Sequence, residues 1–286
     1  MYKKIVVGTD LSETSRVAVD HAASLAQKLD AELVLLYAGN HPGESLDAWG
    51  KEVGAEVVAT PGPPAEVLVA EAERLGADLL VVGSVGMSGA RRFMLGNVPN
   101  KVSHHATTDL LIVKTDGARK RTGDYAKILV GTDGSGTAMR AVEMASELAK
   151  SLSVKPVIVT AFDPPSEHEL EQLRSGTGDA VHQWSATREQ RSTPEGFQWR
   201  LASAAQAEDV LERAEQCAAE KGVEAEVRSV EGAPADRLLE IAEDENFDLI
   251  AVGSVGMAGS KRFMLGNVPH RLSHHTPTDI LILHTV

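Results

Sequence analysis

The sequence predicts an α/β protein built from two tandem, doubly wound, parallel-sheet units, and three observations carry that expectation. Residues 81–115 and 251–285 align without a gap at an offset of 170, and 23 of the 35 positions are identical. Each copy alternates short apolar runs with stretches of helical spacing, the pattern of repeated β-α-β units. Aromatic residues make up only 4% of the chain against a hydrophobic fraction of 43%. Val, Leu, Ile and Ala must therefore fill the cores, as in a buried parallel sheet covered by helices.

The front ends of the copies match at a smaller offset, 123, with Gly8-Thr9-Asp10 answering Gly131-Thr132-Asp133. The second copy thus carries 47 extra residues in its middle. The expected boundaries are 1–116 for the first unit, a polar linker over 117–125, and 126–286 for the second unit. Each length suffices to bury a core.

In the first unit, Lys4–Thr9 reads as a strand. Ser12–Lys28 reads as a helix, with Val17, Ala18, His21, Ala22 and Leu25 on one face. Glu32–Ala38 and Ala55–Ala59 follow as strands, separated by about 16 residues. That length leaves room only for a one- or two-turn element around Ser45–Lys51. Pro63–Leu75 is a helix with proline in its opening turn, and Asp78–Gly83 a fourth strand. A helix starting near Asn97 then leads to the fifth strand, Leu110–Lys114. The second unit interposes an irregular insert over about 164–200, bearing Trp184, Phe197 and Trp199, before a helix from Leu201 to Lys221. An aromatic-bearing stretch of that length is expected to act as a lid or contact surface.

The formal net charge of −13 argues against nucleic acid or an acidic membrane as partner, because phosphate backbones select basic surfaces. It does not exclude a single nucleotide, since backbone N–H groups hold phosphate without net positive charge. The one cysteine, Cys217, allows no intrachain disulfide and sits in an apolar helical stripe. No signal-peptide pattern or membrane-length apolar run is present, so a cytoplasmic location is expected.

The informative constellation is Gly83-x-x-Gly86, nine residues, then Gly96-Asn97, repeated as Gly253, Gly256, Gly266 and Asn267. Gly83 ends an apolar strand, and parallel sheets collect their ligands at the carboxyl ends of strands. Glycine there permits close approach of a ligand to the backbone. Asn97, followed by Val98-Pro99, suits a helix cap. A helix start offers unpaired N–H groups and partial positive charge to a phosphate. Glycines after a strand also serve simple tight turns, but the full spaced pattern occurring twice favours the anion site. It is neither a Walker loop nor Gly-x-Gly-x-x-Gly.

Taken together, Gly-Thr-Asp after the first strand, the Gly-x-x-Gly loop with its nine-residue gap to Gly-Asn-Val, and the closing Thr-Asp-Leu-Leu-Ile-Val resemble the universal stress protein family. Gly62-x-Pro64 and Gly232-x-Pro234 before a helix fit the same pattern. The resemblance spans both copies apart from the linker and the insert. It implies five-stranded sheets in the order 3-2-1-4-5 and a pseudo-two-fold packing of the units through their last strands. It further implies that Thr9, Asp10 and Ala38 line the adenine and ribose side of one site, with Gly83, Gly86, Gly96, Asn97 and Val98 at the phosphates. The second site would use Thr132, Asp133, Ala161, Gly253, Gly256, Gly266, Asn267 and Val268. The implied ligand is ATP or a related adenine nucleotide, with Mg²⁺ accompanying ATP. Family members that bind ATP usually carry Ser or Thr where this chain has Asn97 and Asn267.

Other residues carry less. His104-His105 and His274-His275 are adjacent and face different ways on a helix, so no metal site is expected. Arg91-Arg92 and Lys261-Arg262 either reach a phosphate or form a solvated face. No nucleophile–base pair is apparent. The leading expectation is a non-catalytic nucleotide-binding protein of stress response or regulation. It would act through an unidentified protein partner, and a homodimer of the tandem chain is left open. The alternatives are a weak ATPase or adenylyl-chemistry enzyme, and a module with empty sites that acts only through dimer-like packing. The second site, with its long insert, is expected to bind more tightly than the first.

Overall fold

The computed structural model describes residues 1–40, 43–85, 95–115, 124–162, 195–256 and 265–284, with 195–205 described at the level of the backbone only. The first half comprises β1 (Lys4–Thr9), α1 (Glu13–Leu29), β2 (Glu32–Ala38), α2 (Gly43–Val53), β3 (Glu56–Thr60), α3 (Pro64–Leu75), β4 (Leu79–Gly83), α4 (Asn97–His105) and β5 (Asp109–Val113). The second comprises β6 (Ile128–Gly131), α5 (Gly136–Leu152), β7 (Val157–Phe162), α6 (Glu195–Glu220), β8 (Glu226–Glu231), α7 (Pro234–Asp244), β9 (Leu249–Gly253), α8 (Asn267–His275) and β10 (Asp279–Leu283).

All ten strands form one sheet in the order β3-β2-β1-β4-β5-β10-β9-β6-β7-β8. Each half is the expected parallel 3-2-1-4-5 arrangement. The halves meet by antiparallel pairing of β5 with β10, in the register Ile112↔Ile280, Leu111↔Leu281 and Leu110↔Ile282. Leu111 and Leu281 are equivalent positions of the repeat, so the register is self-complementary about that pair, as in an isologous dimer. Pairing these strands also removes two edges that would otherwise expose unpaired backbone groups.

The helix boundaries follow local chemistry. Ser12 caps α1 by accepting from the Ser15 N–H at 3.1 Å, and Asp30 closes the helix in a left-handed conformation. Ser135 plays the capping part for α5. Pro63 and Pro64 open α3 where no intrahelical N–H is needed. The core lies in two layers, one on each sheet face. The layer beneath α1 and α5 includes Val7, Leu25, Leu111, Val130 and Leu281. The layer beneath α3, α4, α7 and α8 includes Val6, Leu68, Leu110, Leu129 and Ile280. Both layers run through the two halves without a break.

Two carboxylates fasten the seam. Asp109, on β5, takes a bidentate pair from Arg140 of α5 and also accepts from the His284 N–H at 3.0 Å and the Tyr2 hydroxyl at 3.2 Å. Its repeat equivalent, Asp279, accepts from the Lys114 N–H at 2.8 Å and the Tyr125 hydroxyl at 3.3 Å. Tyr125, the last residue of the expected linker, is thus buried as the counterpart of Tyr2.

Three expectations are corrected. The segment between β2 and β3 holds an 11-residue helix, not a one- or two-turn element. Gly54, at φ +70°, turns the chain straight out of α2, so two residues suffice before β3. Gly50 lets the helix lie flat on that strand, since a Cβ there would stand 2.3 Å from Val57 Cγ2. The third strand is Glu56–Thr60, one residue later than read. Helix α6 begins at Glu195 rather than Leu201, which puts Phe197 and Trp199 on a helix instead of an irregular stretch. Glu195, Gln198 and Arg200 are polar but good helix formers, which is why polarity alone does not mark this part as irregular. The rest of the insert, Trp184 and most of the linker lie outside the described residues.

Candidate functional site

Where the strand order reverses, between β1 and β4, the carboxyl ends of the strands open a crevice, the usual ligand position in a doubly wound sheet. A cavity of about 570 Å³ lies there, walled by Thr9, Asp10 and Ala38 on one side and Gly83, Gly96, Asn97 and Val98 on the other. Its counterpart between β6 and β9 measures about 400 Å³. Thr132, Asp133, Ala161, Gly253, Gly256, Gly266, Asn267 and Val268 all line it. The structure therefore gathers these sequence-named residues into two equivalent cavities. Gly86, Arg91-Arg92 and Lys261-Arg262 lie outside the described residues.

The local geometry is the same in both. After β4, the Ser84 N–H donates to the Val113 carbonyl at 2.8 Å, and the Ser84 carbonyl accepts from the Gly96 N–H at 2.7 Å. In the second half Ser254 repeats this with Leu283 and Gly266, at 2.8 and 2.7 Å. Each phosphate-loop candidate is thereby tied to the end of the adjoining strand. Gly96 and Gly266, with extended backbones, are the N-caps of α4 and α8. This corrects the reading of Asn97 and Asn267 as caps. The first helical bonds run from Asn100 to Gly96 and from His270 to Gly266, which makes the asparagines the first residues inside the helix, with exposed side chains at the cavity mouth. A side chain at the cap position would press on the Ser84 or Ser254 carbonyl, 3.3 and 3.1 Å from the respective Cβ, which explains glycine there.

The consequence for chemistry is specific. In the first turn of α4, Gly96 N–H is used, Pro99 has none, and Asn100 N–H closes the helix. Among the described residues, the N–H groups of Asn97 and Val98 make no hydrogen bond. Asn267 and Val268 are in the same state. Among the described residues each cavity is therefore lined by two adjacent backbone donors without a partner at a positive helix end, an arrangement that fits a phosphate oxygen.

The opposite wall is fixed by side-chain hydrogen bonds. Asp10 Oδ1 accepts from the Ser12 N–H at 3.0 Å, and Asp133 Oδ1 accepts from the Ser135 N–H at 2.9 Å. Thr9 Oγ1 accepts from the Leu11 N–H at 3.0 Å, and Thr132 Oγ1 from the Gly134 N–H at 3.2 Å. The carboxylates are thus held rigidly at the rim, suited to accept from sugar hydroxyls. Gly256 lies against this wall: a Cβ there would stand 2.7 Å from Asp133 Oδ2. A side chain at position 256 would therefore crowd the Asp133 carboxylate.

Sequence reasoning passed over the apolar floor. Pro64 and Leu68 of α3 line the first cavity, and Pro234 and Leu238 of α7 the second. The signal was present in the Gly-x-Pro openings of these helices, which set them across the strand ends. The cavities also differ: Ser15 lines the first, where Ala138 lines the second. Among the described residues no group of three His, Cys, Asp or Glu stands in metal-holding geometry, and no helix is long and apolar enough to cross a membrane.

Comparison with known proteins adds the following. The pattern of the family described as "Universal stress protein family" matches residues 1–52, 44–114 and 124–284. The universal stress protein Rv1636 of Mycobacterium tuberculosis is 32% identical over 162 residues, covering 56% of this chain and 97% of the relative. The universal stress protein Rv2005c of the same species is 25% identical over 312 residues, covering 97% of this chain and 96% of that one. Among solved structures, a universal stress protein from Archaeoglobus fulgidus superposes with a TM-score of 0.64 at 19% identity, over 98% of each chain. At that identity the likeness speaks to the fold alone.

Proposed function

The chain belongs to the universal stress protein family, and we propose that it is a two-site adenine-nucleotide-binding member. ATP or a related nucleotide would lie with its phosphates on the first turn of α4 or α8 and its ribose against Asp10 or Asp133. The observation that carries this reading is the pair of N–H groups at Asn97–Val98, and again at Asn267–Val268, that have no partner among the described residues. Each pair sits in a cavity of a size that takes a small-molecule ligand. The two expected parts of a nucleotide site, a donor cradle and a carboxylate rim, stand on facing walls.

The reading is of binding without turnover, in the cytoplasm, with the response to nucleotide passed on through contacts with a protein partner. In the first cavity the polar side chains are those of Thr9, Asp10, Ser15, Tyr37 and Asn97. Among the described residues this wall offers no histidine, cysteine or lysine, and its one carboxylate, Asp10, is engaged by the Ser12 N–H and hydroxyl rather than paired with a nucleophile. Mass spectrometry of freshly purified, denatured protein is the first test. Release of an adenine nucleotide, with no phosphate produced on incubation with ATP and Mg²⁺, supports the reading. Release of no nucleotide, together with no saturable binding on titration, would overturn it.

A further inference from the structure

Helices α4 and α8, whose first turns face the two cavities, run on to a shared contact near the pseudo-two-fold axis. His104 of α4 stands with its ring centroid 5.7 Å from that of His270 on α8, and His270 stands 4.6 Å from His274 on the same helix. Across the axis, His274 Nε2 donates to Asn100 Oδ1 at 3.2 Å. Position 100 is the repeat equivalent of 270, and 104 of 274. The two contacts are therefore symmetry mates: one pairs histidine with asparagine, the other histidine with histidine. Three half-buried imidazoles are thus gathered where the helices of the two sites meet. They do not stand in metal-holding geometry.

We propose that His104 and His274, both packed against His270, form a pH-sensitive joint, and that their protonation loosens the seating of α4 and α8 and weakens ligand binding in both cavities. The coupling to ligand rests on the nucleotide reading above, whereas the joint itself does not. The path is short. His270 follows Pro269 of the second cavity wall, and its N–H bonds to the Gly266 cap at 3.1 Å. Charge on His104 or His274 would be placed within a ring's width of a second imidazole, a contact that suits neutral rings and is weakened by charge.

The surroundings favour the neutral state. Burial, then His270, then His105 hold His104 below the ordinary value of 6.5. Burial, then His270, His275, Lys114 and His104 do the same for His274. The carboxylates on the packed elements are committed elsewhere. Asp236 of α7 pairs with Arg271, Glu73 of α3 binds the Thr107 hydroxyl, and Asp279 of β10 takes the Lys114 N–H. Lys114 itself donates from Nζ to the Ser273 carbonyl, adding positive charge beside His274. Because the folded-state values are depressed, the unfolded chain takes up protons first as pH falls through 6.5. The stability present above that pH is therefore lost below it.

The test is His270→Asn, which installs at the joint the residue that the first copy already uses at Asn100, with His104→Asn as a second variant should the first fail to fold. Melting curves of the intact chain without ligand are recorded between about pH 7.5 and about pH 5.5, together with ATP affinity. The wild type should lose at least about 2 °C more than the variant over that range. Its ATP affinity should fall about fivefold more. Protonation of ATP itself is common to both proteins and cancels in the comparison. Parallel melting curves for wild type and variant would overturn the joint. Divergent melting curves with equal pH dependence of affinity would overturn the coupling. If neither protein bound ATP at any pH, the nucleotide reading would fall and the coupling with it, while the melting curves would still decide the joint.

Discussion

Replacing Asn97 or Asn267 by proline isolates the proposed phosphate contact from the fold. Each asparagine is the first helical residue, a position where proline's fixed φ suits the helix and where its missing N–H breaks no intrahelical bond. The residue before proline must be extended, and Gly96 (φ −64°, ψ 163°) and Gly266 (φ −64°, ψ 162°) already are. The helix should therefore persist, with stability within about 0.5 kcal/mol of the wild type. Binding should suffer, because the change deletes one of two backbone donors and the side-chain amide beside it. A hydrogen bond to a charged group is worth about 1.5–3 kcal/mol, so the dissociation constant at the altered site should rise about 10- to 150-fold. Calorimetric titration with ATP, alongside thermal unfolding, reads both quantities. Asn97→Pro should weaken only the first site and Asn267→Pro only the second. Unchanged affinity with an unchanged melting temperature, in a protein shown to bind ATP, would refute the phosphate role.

Further outcomes follow from the packing. Gly253→Ala should cost roughly 1–3 kcal/mol, because its Cβ would stand 2.7 Å from the Thr137 backbone carbon and 2.8 Å from the Ala138 nitrogen. Gly83→Ala, at the equivalent strand end, meets nothing nearer than Thr115 Cγ2 at 3.3 Å and should change stability by less than about 0.5 kcal/mol. Guanidinium unfolding of both variants checks the ranking, and equal losses would contradict it. Arg140→Ala strips a cation from buried Asp109 and should cost about 3 kcal/mol. That is the low end for breaking a buried pair, since 26% of the Arg140 side chain is exposed and water can partly replace it. Destabilisation below about 1 kcal/mol would show that the Tyr2 and His284 donors alone satisfy the carboxylate.

Much of the fold was legible because the signals were local and repeated. Strand β1 and strand β2 were readable to the residue from unbroken apolar runs, and α1 from the 3.6-residue spacing of its inner face, whereas the capping role of Ser12 came only with the structure. The two copies reinforced one another wherever their sequences agreed. Reading failed where geometry depended on tight contacts that composition does not record. Helix α2 was underestimated because loop length alone suggested crowding, whereas Gly50 and Gly54 relieve it. Helix α6 was begun too late because a polar stretch was taken for an irregular one. At the candidate site, the glycines and Asn-Val pairs were visible as motifs, but the cap position was misplaced by one residue. The first helical bonds, from Asn100 to Gly96 and from His270 to Gly266, fix it. The histidine contact was invisible for a different reason. It joins residues of different copies, and no spacing within one helix brings His104 to His270.

The central claim is that one chain holds an adenine nucleotide in each of its two halves. Equilibrium dialysis of the intact chain against labelled ATP, at concentrations up to about 1 mM, measures this directly. The account predicts saturation close to two nucleotides per chain, falling to about one in Asn97→Pro or Asn267→Pro at concentrations below the weakened dissociation constant. Absence of saturable binding by the folded wild-type chain over the whole range would contradict it.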